Sequence, residues 1–283
     1  MINSPNKQES PIGIFDSGVG GLSVLREVSR LLPSEDLVYI ADQVHVPYGN
    51  RSREEVFGFS QEIVRFLINK GSKLIIIACN TASAVALEDL RKLYPELPFV
   101  GMEPAVKPAA QETISGVVGV LATPATFQGD LYSSTVEKYA RGVTILQDTC
   151  PGLVAQIEQG RIDSLETRQI LETALQPMIN EGVDEIVMGC THYPFVIPLI
   201  REIVGGEINV IDPAPAVARQ TGRLLEQNIL RNQSGGKANR DFYTTGDPAA
   251  FSEVLESLLG KKERAAKLSW VGGKLQVTVV PQS

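Results

Sequence analysis

The chain has 283 residues, 43% of them hydrophobic and 21% charged, with a net charge of −7. This acidic balance shows no basic stripe of the kind a general nucleic-acid binder needs, and no apolar run reaches the ~18 residues of a membrane helix. The length suits two lobes, each able to bury a core.

A polar segment over residues 1–10 carries no secretory apolar region and predicts a flexible lead-in to a chain that stays in the cytoplasm. Residues 12–15 then form a short apolar run ending at Asp16, which predicts a strand. Leu22, Leu25, Val28 and Leu32 recur at helical spacing. Residues 37–40 predict a second strand. Val56, Phe59, Ile63, Phe66 and Leu67 predict a helix capped by Gly71. Residues 74–78 are apolar without alternation, as a central parallel strand reads, and 117–122, 186–188 and 210–211 look similar. The Gly-, Asn- and Lys-rich stretch 232–240 predicts a surface loop. Residues 268–280, with Gly272-Gly273 inside, predict a terminal hairpin. This alternation predicts an α/β fold with parallel sheets.

The chain also echoes itself. Asn69-Lys70-Gly71, an apolar strand and Ala78-Cys79-Asn80-Thr81 are matched by Asn180-Glu181-Gly182, an apolar strand and Gly189-Cys190-Thr191-His192. In both copies the Gly precedes the Cys by eight residues, and a helix-like pattern follows. Upstream, the segment from Gly13 to Ser17 resembles that from Gly119 to Thr123. Duplication accounts for this, giving two similar lobes, each a mostly parallel sheet flanked by helices, with the active site in the cleft between them. Met102-Glu103-Pro104 and Ile211-Asp212-Pro213 read as crossovers. They divide the chain into a first lobe of 11–103 plus 213–283 and a second of 104–212.

Cys79 and Cys190 sit at the carboxyl ends of their strands, the edge at which open α/β sheets bind ligands. A helix dipole there is expected to lower a thiol pKa, and thiolate and thiol can take and give a proton. Cys150 lacks such a placement and reads as structural. Three scattered cysteines in a reducing compartment read as free thiols, and two histidines without a CxxC offer no zinc site. The loop Asp16-Ser17-Gly18-Val19-Gly20-Gly21 offers backbone N–H groups to an anion such as a carboxylate, or is a capped tight turn. Pro47-Tyr48-Gly49 reads as a turn. Asn80, Thr81 and Thr191 are neutral donors and acceptors beside the cysteines, or helix caps. His192 is placed to relay a proton to Cys190. His45 reads as structural, and Glu158 as a solvated helix residue.

Taken together, these segments resemble the glutamate racemase family of the aspartate/glutamate racemase superfamily. The resemblance runs from about residue 11 to 260. It rests on the stretch from Gly13 to Gly21, on Pro47-Tyr48-Gly49, on the stretches from Ala78 to Ser83 and from Gly189 to Pro194, and on Thr244-Thr245-Gly246-Asp247. It implies cofactor-independent racemisation of glutamate with Cys79 and Cys190 as the acid–base pair, assisted by Asp16 and His192. It places Asp16, Ser17, Tyr48, Gly49, Asn80, Thr81, Thr191 and His192 on substrate-binding positions. Glu158 matches the family's helix glutamate after a Cys-Pro pair, which implies a further assisting residue, here without the usual second proline. No metal is implied. The resemblance further implies an amino-acid substrate, a homodimer, and D-glutamate supply to peptidoglycan, hence to cell-wall biogenesis and cell shape. Chain pattern alone leaves open an aspartate racemase or another isomerase of the superfamily, a two-lobed binding protein without catalysis, and a regulator acting through protein contacts. The tail after Gly260 matches no motif.

Overall fold

The structure is a computed structural model that describes residues 7–236 and 238–278. Residues 1–6 of the expected lead-in, and the expected hairpin beyond Thr278, lie outside the described residues. The chain begins with β1 (Ile12–Asp16), α1 (Leu22–Leu31), β2 (Leu37–Ala41), α2 (Arg53–Asn69), β3 (Leu74–Ile77), α3 (Asn80–Leu93) and β4 (Phe99–Gly101). It continues with α4 (Val106–Glu112), β5 (Val117–Leu121), α5 (Pro124–Phe127), α6 (Asp130–Tyr139), β6 (Thr144–Asp148), α7 (Leu153–Glu158), α8 (Leu165–Asn180), β7 (Glu185–Met188), α9 (Ile197–Val204) and β8 (Asn209–Ile211). It closes with α10 (Ala214–Gln227), β9 (Arg240–Thr244), α11 (Pro248–Leu259), β10 (Ala265–Val271) and β11 (Lys274–Val277).

These strands build two sheets, in the orders β11-β10-β9-β2-β1-β3-β4 and β6-β5-β7-β8. Among the described residues every pairing is parallel except β10 with β11. That hairpin turns through Gly272 and Gly273, with φ of 56° and 76°. Two successive positive φ values suit a right-twisting two-residue turn, and glycine adopts them without strain. The unmatched tail thus extends the first sheet. Among the described residues no helix is long and apolar enough to cross a membrane.

The echo is structural down to single residues. Strands β2-β1-β3-β4 repeat the order of β6-β5-β7-β8. Ile75, four residues before Cys79, pairs with Gly13 and Phe99; Ile186, four before Cys190, pairs with Gly119 and Val210. A Cβ on Gly13 would meet Ser72, Ile75 and Leu67, whereas one on Gly119 would meet Val183, Ile186 and Met178. Those are the same three positions counted back from each cysteine. Gly71 (φ 83°) and Gly182 (φ 77°) follow α2 and α8. Their left-handed backbone turns each helix directly into its strand, which fixes the common Gly–Cys spacing.

The strands lack alternation because both faces are covered. Ile14, Tyr39 and Ile76 share one cluster with Leu22, Leu25 and Val217 of α1 and α10, and that cluster runs on to Leu175, Ile186 and Met188 of the second sheet. Phe15, Ile40, Ile75 and Ile77 face Ile63, Leu67 and Leu87 of α2 and α3.

Candidate active site

Both sheets point the carboxyl ends of β1, β3, β5 and β7 at one cavity. It is lined by Cys79, Asn80, Thr81, Ser17, Tyr48 and Gly49 from the first half, and by Cys190, Thr191, His192, Thr123 and Thr126 from the second. Each cysteine is 5% exposed, so both thiols lie at the cavity wall and are shielded from bulk water. Asn80 is buried, and neither polar atom of its amide has a hydrogen-bond partner among the described residues. A buried amide left open beside a cavity is suited to a polar ligand.

Cys79 is the N-cap of α3, and its Sγ accepts from the Ala82 amide at 3.4 Å. The expected depression of its pKa is not found. Burial pushes the thiol well above its ordinary value, the nearby Asp16 carboxyl adds to this, and the helix-end N–H only partly opposes them. Desolvation outweighs the dipole because the sulfur is fully enclosed. Burial also raises the Asp16 carboxyl, against the opposing pull of His192. Asp16 Oδ2 accepts from Gly21 N at 2.7 Å and from Thr191 Oγ1 at 3.4 Å, the latter across the cleft. Asp16 Oδ1 is buried without a partner among the described residues.

Cys190 departs from the expected helix start. A 3₁₀ turn over Tyr193–Val196 follows it, and α9 begins only at Ile197. Pro198 causes this, since it has no N–H for the carbonyl of Pro194 and its ring crowds that carbonyl. Cys190 Sγ instead lies 3.7 Å from His192 Nδ1, and His192 Nε2 lies 2.6 Å from Glu158 Oε1. Burial alone would lower the His192 pKa, but Cys190 and Glu158 outweigh it and hold the ring well above its ordinary value.

Glu158 is not the solvated helix residue expected; its side chain is 12% exposed. Burial pushes its pKa up, but the bonds from His192, then Gln43 and the Val19 amide, outweigh this and leave it below the ordinary carboxylate range. Val19 N donates to Oε1 at 2.7 Å and Gln43 Nε2 to Oε2 at 2.9 Å. The glycine-rich loop therefore does hold a carboxylate, and it is the protein's own. A Cβ on Gly18 would collide with Glu158, and one on Gly20 with His192. These glycines admit the second lobe.

His45 is not among the residues that line the cavity. Its Nδ1 is 2.8 Å from Asp42 Oδ2 and its ring stacks on Phe59 at 3.8 Å. Buried Asp42 also accepts from Tyr48, Thr245 and Trp270, and so anchors the Pro47-Tyr48-Gly49 wall. Burial, with Asp148 adding to it, pushes the Cys150 thiol well above its ordinary value. Sequence reasoning missed Thr123, Thr126, Asp42 and Gln43. Thr123 was within reach, because it stands in the second copy where Ser17 stands in the first. Thr126, Asp42 and Gln43 carried no such signal. Among the described residues no cluster of three metal-ligating side chains occurs.

A family model described as Asp/Glu/Hydantoin racemase matches residues 12–221. The glutamate racemase of Roseiflexus sp. (strain RS-1) is 49% identical over 88% of this chain and 92% of its own. That of Pseudomonas aeruginosa PAO1 is 45% identical over 92% and 98%. Among solved structures, Escherichia coli glutamate racemase in complex with L-glutamate and the activator UDP-MurNAc-ala superposes with a TM-score of 0.80 at 29% identity, covering 95% of this chain and 99% of that one. The Francisella tularensis enzyme in complex with D-glutamate gives 0.79 at 30%, covering 93% and 98%. Matched along nearly its whole length by two-lobed relatives, the chain belongs to the Asp/Glu/Hydantoin racemase family and, within it, to the glutamate racemases.

Proposed function

We propose that this chain interconverts L- and D-glutamate without a cofactor, using Cys79 and Cys190 as bases on opposite faces of Cα. The observation that carries the reading is the meeting of two duplicated thiols, one from each lobe, across one shielded cavity. One sulfur, as thiolate, removes the Cα proton; the other, as thiol, supplies a proton to the opposite face. Inversion needs a donor on each side, and the two lobes provide one each. The developing negative charge is met by neutral donors around the cavity, namely Ser17, Asn80, Thr81, Thr123 and Thr191, in a site that excludes water. Asp16 stands beside Cys79, and His192, backed by Glu158, beside Cys190. These two groups assist the proton transfers of their respective sulfurs. Tyr48 and Gly49 close the substrate wall.

The relatives' complexes with L- and D-glutamate support glutamate as the substrate. Residues 11–103 with 213–283 act as one lobe and 104–212 as the other, a division that follows the membership of the two sheets. The enzyme works as a cytoplasmic homodimer that supplies D-glutamate for peptidoglycan, a reading carried by the family resemblance. The test is circular dichroism of L- and D-glutamate, with aspartate alongside, under wild type, Cys79→Ala and Cys190→Ala. Racemisation of glutamate is expected, with a loss of about 10³-fold or more in either variant. Near-normal turnover in either variant, or faster turnover of aspartate, overturns the reading.

A further inference from the structure

Glu158 receives bonds from both halves of the molecule. His192 belongs to its own half, while Val19 and Gln43 reach it from the first. Gln43 lies just past the end of β2 and does not line the cavity that holds the cysteines. Its Oε1 accepts from Thr244 Oγ1 at 2.8 Å, and that hydroxyl in turn accepts from Gly246 N at 2.9 Å. Thr244 is fixed in β9, paired with Ala41. The Thr244 hydroxyl proton is therefore committed to Gln43. Turning the amide over would set its oxygen against the Glu158 carboxylate, so Nε2 must face Glu158. A Cβ on Gly246 would strike Gln43 Oε1, so a glycine there leaves the amide its place.

We propose that Gln43 is a positioning residue for the Cys190 half of the reaction: it aims the Glu158 carboxylate at His192 and makes that aim depend on the two lobes being closed. The inference rests on the reading of His192 and Glu158 as the proton relay of Cys190. The line of contacts runs from Thr244 through Gln43, Glu158 and His192 to Cys190, starting in the first half and ending in the second. Parting the lobes removes Val19 and Gln43 together and leaves Glu158 with His192 alone. The titratable groups facing Glu158 are the bonded His192 ring and, from the first half, the Asp16 carboxyl and the Tyr39 hydroxyl. The Gln43 amide is a neutral donor among them, so its loss changes the Glu158–His192 pair without adding charge.

The test is the pH profile of kcat and KM for glutamate in Gln43→Met, which keeps the side chain's length and removes the donor. We expect kcat to fall about tenfold, the size of one hydrogen bond to a charged group, with KM little changed. The bell narrows from both sides. Its acid limb moves up because the carboxylate loses a donor that held its pKa down, and its alkaline limb moves down because His192 loses part of its partner. Gln43→Glu carries the acid limb further up, since it sets a second carboxylate against Glu158. A mere structural brace would lower the amount of folded enzyme and leave the limbs in place. Wild-type kcat and limbs in folded Gln43→Met overturn the proposal; if that variant fails to fold, an unmoved acid limb in Gln43→Glu does so. Failure of the underlying relay looks different, because His192→Asn would then keep wild-type kcat and limbs.

Discussion

The two halves share a backbone plan and differ in chemistry at matched positions. Cys79 is followed by Asn80 and Thr81, Cys190 by Thr191 and His192. The neighbouring strand ends in Asp16-Ser17 in the first half and in Ala122-Thr123 in the second. The nearest acid–base partner of each sulfur thus comes from a different element: Asp16 at the end of β1 for Cys79, and His192 in the turn after β7 for Cys190. One neighbour is a carboxyl that pushes its thiol up; the other is an imidazole whose pKa Glu158 helps to hold up. Duplication fixed where the sulfurs sit, and divergence at four matched positions set the groups around each.

The sharpest way to break this comparison is at the second position after each cysteine. His192→Asn should lower kcat by about 10²-fold, within the range for losing a group that assists proton transfer. Thr81→Ala should cost distinctly less, since a hydroxyl there only donates to bound substrate. Steady-state kinetics in both directions checks this, and equal losses would mean that the halves do not differ in kind. Asp16→Asn sharpens the other side. Removing the carboxyl lowers the Cys79 pKa, so alkylation of Cys79, measured in a Cys190→Ala background, should begin at lower pH. Rates near neutrality should rise about threefold for every pH unit by which that onset falls, because the gain in thiolate is partly offset by its lower nucleophilicity. An onset at unchanged or higher pH would remove Asp16 from the account. The smallest effects concern the shared frame. Gly13→Ala and Gly119→Ala should each cost about 1–3 kcal/mol through overpacking. Gly13→Ala should cost more, because its Cβ meets Ser72 at 2.8 Å, Ile75 at 2.9 Å and Leu67 at 3.1 Å. At Gly119 the close contact is the adaptable thioether of Met178, at 2.7 Å. Urea unfolding measures the difference.

Much of this was legible in the chain. Buried parallel strands lack alternation, so 74–78 and 186–188 could be read directly, and the Gly–Cys spacing exposed the repeat because a left-handed helix end sets it. Thr123 was legible in principle through the same repeat. What escaped was whatever depends on two segments meeting in space. Glu158 looks solvated in its own helix, and only the approach of Val19, Gln43 and His192 buries its charge. The Cys79 pKa escaped for a related reason: a helix start is visible in sequence, and the enclosure that outweighs it is not. The segment after Cys190 has the apolar spacing of a helix start, although Pro198 breaks one there.

The central claim is that each face of Cα is served by its own sulfur. Its most direct test is racemisation of each glutamate enantiomer in D₂O, stopped early, with deuterium at Cα measured separately in recovered substrate and in product. Two opposed bases predict deuterium in the product from either starting enantiomer, with recovered substrate still protiated. Product that keeps the original proton, or substrate that gains deuterium without inverting, would contradict the account.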